Sequence, residues 1–171
     1  MALSNPRKGP PFFTLYLKGG AFGILCTMSE KPHREAVALV FREGEKVWAF
    51  KRSMSKTVYR GLWSIPSTYI EAGESVAEAA NRLAQKKLGL ESVTLAPTPL
   101  GESGAVEKEK IFLSMKDYEV LSYIGTITFN LDEYVEERLV TPQELLELVS
   151  AQEVEDKGEC TKTFLRSEGL L

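Results

Sequence analysis

Histidine and cysteine are almost missing from this chain. One histidine, His33, and two cysteines, Cys26 and Cys160, stand among 171 residues. One imidazole cannot supply a multi-histidine metal site. The two thiols lie far apart, without metal-ligand spacing, and give no sign of a secretory disulfide framework. No apolar run reaches the roughly 18 residues of a membrane span. The opening MALSNPRKGPP is too poor in apolar residues for a signal peptide. Charge of one sign is not in excess either. The net charge is −3 and the pI about 5.4, so there is no global electrostatic footprint for nucleic acid. These absences predict a soluble, cytoplasmic protein without a membrane or nucleic-acid partner.

What the chain has is an ordinary globular composition, 43% apolar and 26% charged, in a length that suits one domain with a real core. Residues 1–11, with Pro6, Gly9, Pro10 and Pro11, read as a loose arm. Residues 12–171 read as a single domain. It opens with FFTLYL and AFGILCTM around Lys18-Gly19-Gly20, a predicted β-hairpin over 12–28. That hairpin extends the sheet, or else serves as a dimer contact or substrate wall. EAVALVFR (35–42) and KVWAFKRS (46–53) flank Glu43-Gly44-Glu45 as a second hairpin. Its first strand is nearly all apolar, as a strand buried on both faces would be. His33, just before it, reads as structural or solvated.

Lys51, Arg52, Lys56 and Arg60 then fall within ten residues that contain no acid. This is either a solvated loop or a rim that steers phosphate. Further on, 91–101 reads as a strand, 102–110 as a charged loop, and 118–129 and 135–140 as strands. Thr141-Pro142-Gln143-Glu144 is a capping box with proline at the first helical position. It opens a helix over 144–149 and a C-terminal helical region over 141–171.

The most informative stretch is 63–90, WSIPSTYIEAGESVAEAANRLAQKKLGL. Ser75 and Glu78 form a second capping box. Val76, Ala79, Ala80, Leu83, Ala84 and Leu88 recur at the spacing of one buried helical face. Gly89 is placed to end the helix. Trp63, Pro66, Glu71, Gly73, Glu74, Ser75, Ala79, Arg82, Gly89 and Leu90 together resemble the Nudix box, Gly-x5-Glu-x7-Arg-Glu-U-x-Glu-Glu-x-Gly-U, with U a bulky apolar residue. The resemblance implies an α/β (α+β) fold, a Nudix-like α/β/α sandwich with a mixed β-sheet. It also implies a cleft for a small nucleotide or diphosphate ligand, and magnesium or manganese as cofactor if the protein hydrolyses such a ligand. Members of the family are often homodimers.

The box departs from its pattern where metal is held. Ser67 and Thr68 replace glycines, Leu83 replaces the glutamate after the arginine, and Lys86-Lys87 replace the Glu-Glu pair. A hard divalent cation needs oxygen ligands, and leucine and two ammonium groups offer none. Glu74 is the one box acid retained, and Arg82 is its candidate orienting partner. Glu74 and Glu78, one turn apart, are the candidate metal ligands, if a metal binds at all. Lys51, Arg52, Arg60, Lys86 and Lys87 are candidate phosphate contacts, although the last two also suit a solvated helix end.

Three readings follow. One is a Nudix protein with weak or no hydrolysis that retains ligand binding or a regulatory role. Another is a hydrolase with metal held by non-standard carboxylates, drawn from Glu71, Glu74, Glu78 and the loop acids Glu102, Glu107 and Glu109. The third, a prenyl-diphosphate isomerase-like protein, would need a cysteine near Ser67-Thr68 and several histidines.

Overall fold

The structure, a computed structural model, describes residues 32–108, 111–152 and 158–171. The arm predicted for 1–11 and the hairpin predicted for 12–28 lie outside the described residues. Lys31–Leu171 forms one compact unit, and among its described residues are nine strands and three helices.

The second predicted hairpin divides at Phe41. His33–Val40 (β1) enters one sheet, while Arg42–Glu43 (β2) turns through Gly44 to pair with Lys46–Arg52 (β3) in another. Trp63–Ser64 (β4) lies antiparallel to β3, and Ser67–Tyr69 (β5) antiparallel to β1. Val76–Leu88 is the box helix, α1. Ser92–Leu95 (β6) is shorter than predicted. The charged loop predicted for 102–110 is instead mostly strand: Gly101–Lys108 (β7) pairs antiparallel with Ile111–Ile124 (β8). Its sequence, GESGAVEK, has no apolar alternation and carries two glycines, so periodicity alone did not mark it. Partner β8 supplies the hydrogen bonds that make it a strand. Tyr134–Val140 (β9) pairs with β3, and Pro142–Ser150 (α2) and Glu159–Ser167 (α3) follow.

The larger sheet runs β5-β1-β8-β6, with β7 also on β8. The smaller runs β2-β3-β4, with β9 also on β3. The β1·β8 pair is parallel and its neighbours are antiparallel, so the sheet is mixed. Alternation along β1 divides the core in two. Ala36, Ala38 and Val40 join a cluster with Leu145, Val149, Phe164 and Leu165 of α2 and α3. Leu39 and Phe41 join Ala80, Leu83, Ala84 and Leu88 of α1. Helices therefore cover both faces of the central strand, as its unbroken apolar sequence requires. No helix among the described residues is long and apolar enough to cross a membrane.

Candidate functional site

The box helix begins as its sequence dictates. Glu78 N donates to Ser75 Oγ at 3.2 Å, and Ser75 N donates to Glu78 Oε2 at 2.8 Å, so two orphan donors are satisfied reciprocally. These bonds to Ser75 hold the Glu78 carboxyl below its ordinary range.

Glu74 is committed as well. Arg82 Nε and Nη2 donate to its two oxygens at 2.7 and 2.8 Å, and Glu71 N donates to Oε2 at 2.8 Å. The Arg82 hydrogen bonds, first among the causes, hold this carboxyl down to about 2. Arg82 also donates to Tyr69 O at 2.7 Å and lies 3.4 Å from Glu71 Oε1. The retained box acid and arginine thus brace the loop that enters α1. Ser67 and Thr68, for all that they replace glycines, sit in regular strand pairing with β1, and neither has a positive φ.

Glu74 and Glu78, the candidate metal ligands, each already have hydrogen-bond partners. One is held by Arg82 and the other by its own cap, and no group of three or more His, Cys, Asp or Glu suited to a metal ion occurs among the described residues. Leu83, at a family metal-ligand position, is 1% exposed and packed in the core. The side chains present do not fit a divalent metal at the box.

The two lysines part company. Lys86 is exposed, as a solvated helix end would be. Lys87 is partly buried. It turns inward, donates to Ser67 O at 2.9 Å and lies 3.6 Å from Glu133 Oε2. Burial pushes its ammonium below the usual lysine range, against the pull of Glu133. Arg52, at the end of β3, lines the same cavity, and its Nε is buried with no hydrogen-bond partner. Lys56 is paired with Glu133. Burial raises the Glu133 carboxyl, but the Lys56 hydrogen bond and the charges of Lys87, Lys56 and Arg52 outweigh it and bring it below the ordinary range. Lys51 stands apart, 3.7 Å from Glu136 and over the Trp63 ring, and Arg60 is exposed. Of the five predicted phosphate contacts, the fold brings Arg52 and Lys87 together.

The cavity holds about 230 Å³. Val58, Tyr59 and Leu62 of the basic loop, Ala36 of β1, and Leu113 and Met115 of β8 give it an apolar wall, and Gly158, Glu159 and Cys160 close it at the start of α3. Tyr59 has φ 54°, an uncommon conformation for a residue with a Cβ, and such residues concentrate at binding sites. Cys160, 93 residues from Ser67 in sequence, has the Ser67 hydroxyl as a hydrogen-bonding neighbour, and burial pushes its thiol above the ordinary cysteine range. His33 bonds Ser114 at 2.8 Å, a structural role. Glu133, Met115 and Cys160 were invisible to motif reading because nothing local in the sequence distinguishes them.

Below Cys160 lies Asp117, fully buried, with neither carboxylate oxygen hydrogen-bonded. Burial, and secondarily the charge of Glu159, push it up to about 8.

The NUDIX domain profile matches residues 31–164, well over half of the chain. The chain belongs to the Nudix family. Solved structures agree in fold. A MutT protein from Methanosarcina mazei superposes with TM-score 0.64 at 18% identity, over 82% of this chain and 96% of that one. The E. coli ORF135 protein gives 0.63 at 19%, over 80% and 91%. The Nudix domain of Shewanella oneidensis NrtR, solved with ADP-ribose, gives 0.59 at 14%, over 81% and 88%. No curated protein matches the chain.

Proposed function

We propose that this Nudix protein binds a small nucleotide or other diphosphate-bearing ligand in the cavity between α1, the basic loop and α3, in the cytoplasm, with little or no metal-dependent hydrolysis. One observation carries the reading: the side chains at the family's metal positions are a buried leucine, a solvated lysine and an inward lysine, while Glu74 is locked to Arg82. A lone carboxylate already neutralised by a guanidinium cannot position a divalent cation against a diphosphate. The ligand class is supported by the cationic end of the cavity and by the ADP-ribose held by the NrtR domain. The reading calls for no residue of a second chain and applies equally to a monomer or a homodimer.

The alternative, an active hydrolase with non-standard ligands, draws on Glu35, Glu71 and Glu74, which border a second cleft of about 610 Å³. One experiment separates them. Nucleoside diphosphate derivatives are offered with magnesium or manganese to wild type and Glu74→Gln. Saturable binding without turnover is expected. Turnover of about 1 s⁻¹ or more that vanishes in Glu74→Gln would establish the alternative, and absence of binding to any member of the panel would reject the ligand class.

A further inference from the structure

The charge count around Arg52 and Lys87, on the wall of the cavity, does not balance. Arg52, Lys56 and Lys87 lie close enough for their charges to act on one another, and Glu133 is the carboxylate they share. Three cations and one carboxylate leave a net charge of +2 in this cluster, and Glu159, the carboxylate that lines the cavity, is already paired with Arg166 at 2.8 Å. These side chains are not spread on an open surface: Lys56, Lys87 and Glu133 are 25%, 20% and 19% exposed. Like charges gathered in a partly desolvated site repel one another, which is why such clusters call for an anion. Geometry shows where it would sit. Lys56 is spent on Glu133, but Arg52 and Lys87 both line the cavity, and Arg52 Nε has a buried, unsatisfied proton. An orphaned donor of that kind calls for an explanation in a folded protein.

We infer that Arg52 and Lys87 form a metal-independent seat for the terminal phosphate of a phosphate ester or diphosphate. The ligand's uncharged organic part lies against Ala36, Val58, Leu113 and Met115. The inference rests on the reading of this cavity as the ligand site and adds how the anion is held. Lysine at position 87 supplies directly the positive charge that a carboxylate could supply only through a bound cation. A guanidinium beside it offers the forked donors that suit phosphate oxygens. Two protein charges then match a phosphate dianion without a metal between them.

The test is calorimetric titration with inorganic pyrophosphate and with ADP, each in EDTA and each in magnesium. Both probes are expected to bind in EDTA, with affinity changed less than about threefold by magnesium. Lys87→Gln and Arg52→Gln should each weaken binding about tenfold or more, the scale of a lost hydrogen bond to a charged group. Lys86→Gln, which alters a solvent-facing lysine on the same helix, should not. Glu133→Gln moves the other way: it removes the competing carboxylate and should tighten pyrophosphate binding severalfold. That increase keeps the idea testable even where Lys87→Gln fails to fold, since a purely structural ion pair would give no gain. Binding seen only with magnesium overturns the metal-independent seat but leaves the ligand site standing. Equal losses in Lys86→Gln and Lys87→Gln, or weaker binding in Glu133→Gln, also overturn it. No binding of either probe under any condition removes the ligand reading together with this one.

Discussion

Leu83 shows how far a single residue can redirect a site. In the family this position carries a metal-binding glutamate, and here it is buried in the core cluster that also holds Leu39, Phe50 and Leu88. A carboxylate placed there would lose its water without gaining a partner. Leu83→Glu is therefore expected to cost on the order of several kcal/mol and to lower the melting temperature markedly. An unchanged Tm would mean that the side chain reaches the cleft. It also follows that restoring glutamates at 83, 86 and 87 together would not rebuild a metal site, because the first of them destabilises the core. Asp117 makes a second case. Its carboxyl ionises near 3.8 when unfolded and near 8 when folded. Between those values the unfolded chain has released a proton that the folded chain keeps, so stability falls as pH rises from about 4 to about 8 and then levels off. Asp117→Asn is neutral in both states and should be more stable than wild type at pH 8–9, with the advantage shrinking towards pH 4. Glu159 and Cys160 are the titratable neighbours. Thermal melts across that range decide it, and an advantage independent of pH would point to packing instead.

At the scale of the element, α1 is specified at both ends. Its capping box fixes the entry, and Gly89 fixes the exit in the left-handed region at φ 68°. The Gly89 position is constrained twice, because an added Cβ would lie 2.2 Å from Thr128 Oγ1 and 2.7 Å from Thr128 O. Gly89→Ala is expected to cost roughly 1–2 kcal/mol from the backbone conformation alone, with the clash added to it. For a chain of this size the backbone part alone lowers Tm by about 2–8 °C. The same substitution should disturb Lys87, whose backbone oxygen accepts from Asn130 N at 3.0 Å, and so weaken ligand binding along with stability. Loss of Tm with unchanged affinity for pyrophosphate would show that the helix end and the cavity are uncoupled. The strand β7 makes the opposite point about elements. Nothing in its own residues marks it as a strand, and its pairing with β8 decides.

Across the whole molecule, sequence and fold each determined a separable part. The sequence by itself determined α1, its caps and its buried stripe, because those depend on bonds and spacings within a few turns. It determined the central strand and the closing capped helix for the same reason, and it placed the chain in the Nudix family through residues at fixed intervals. It also settled that leucine and two lysines stand where metal ligands are expected. Tertiary structure alone decided which way those residues point. Leu83 and Lys87 belong to one helix and differ by little more than one turn, yet one enters the core and the other the cavity, because the sheet lies under the first and β5 beside the second. The cluster of Arg52, Lys56, Lys87 and Glu133 spans 82 positions from Arg52 to Glu133, and the wall closed by Cys160 reaches further still. Charge balance in a cavity is a sum over residues that only folding brings into range, since Coulomb interactions are strong over a few ångströms and screened beyond about 10 Å.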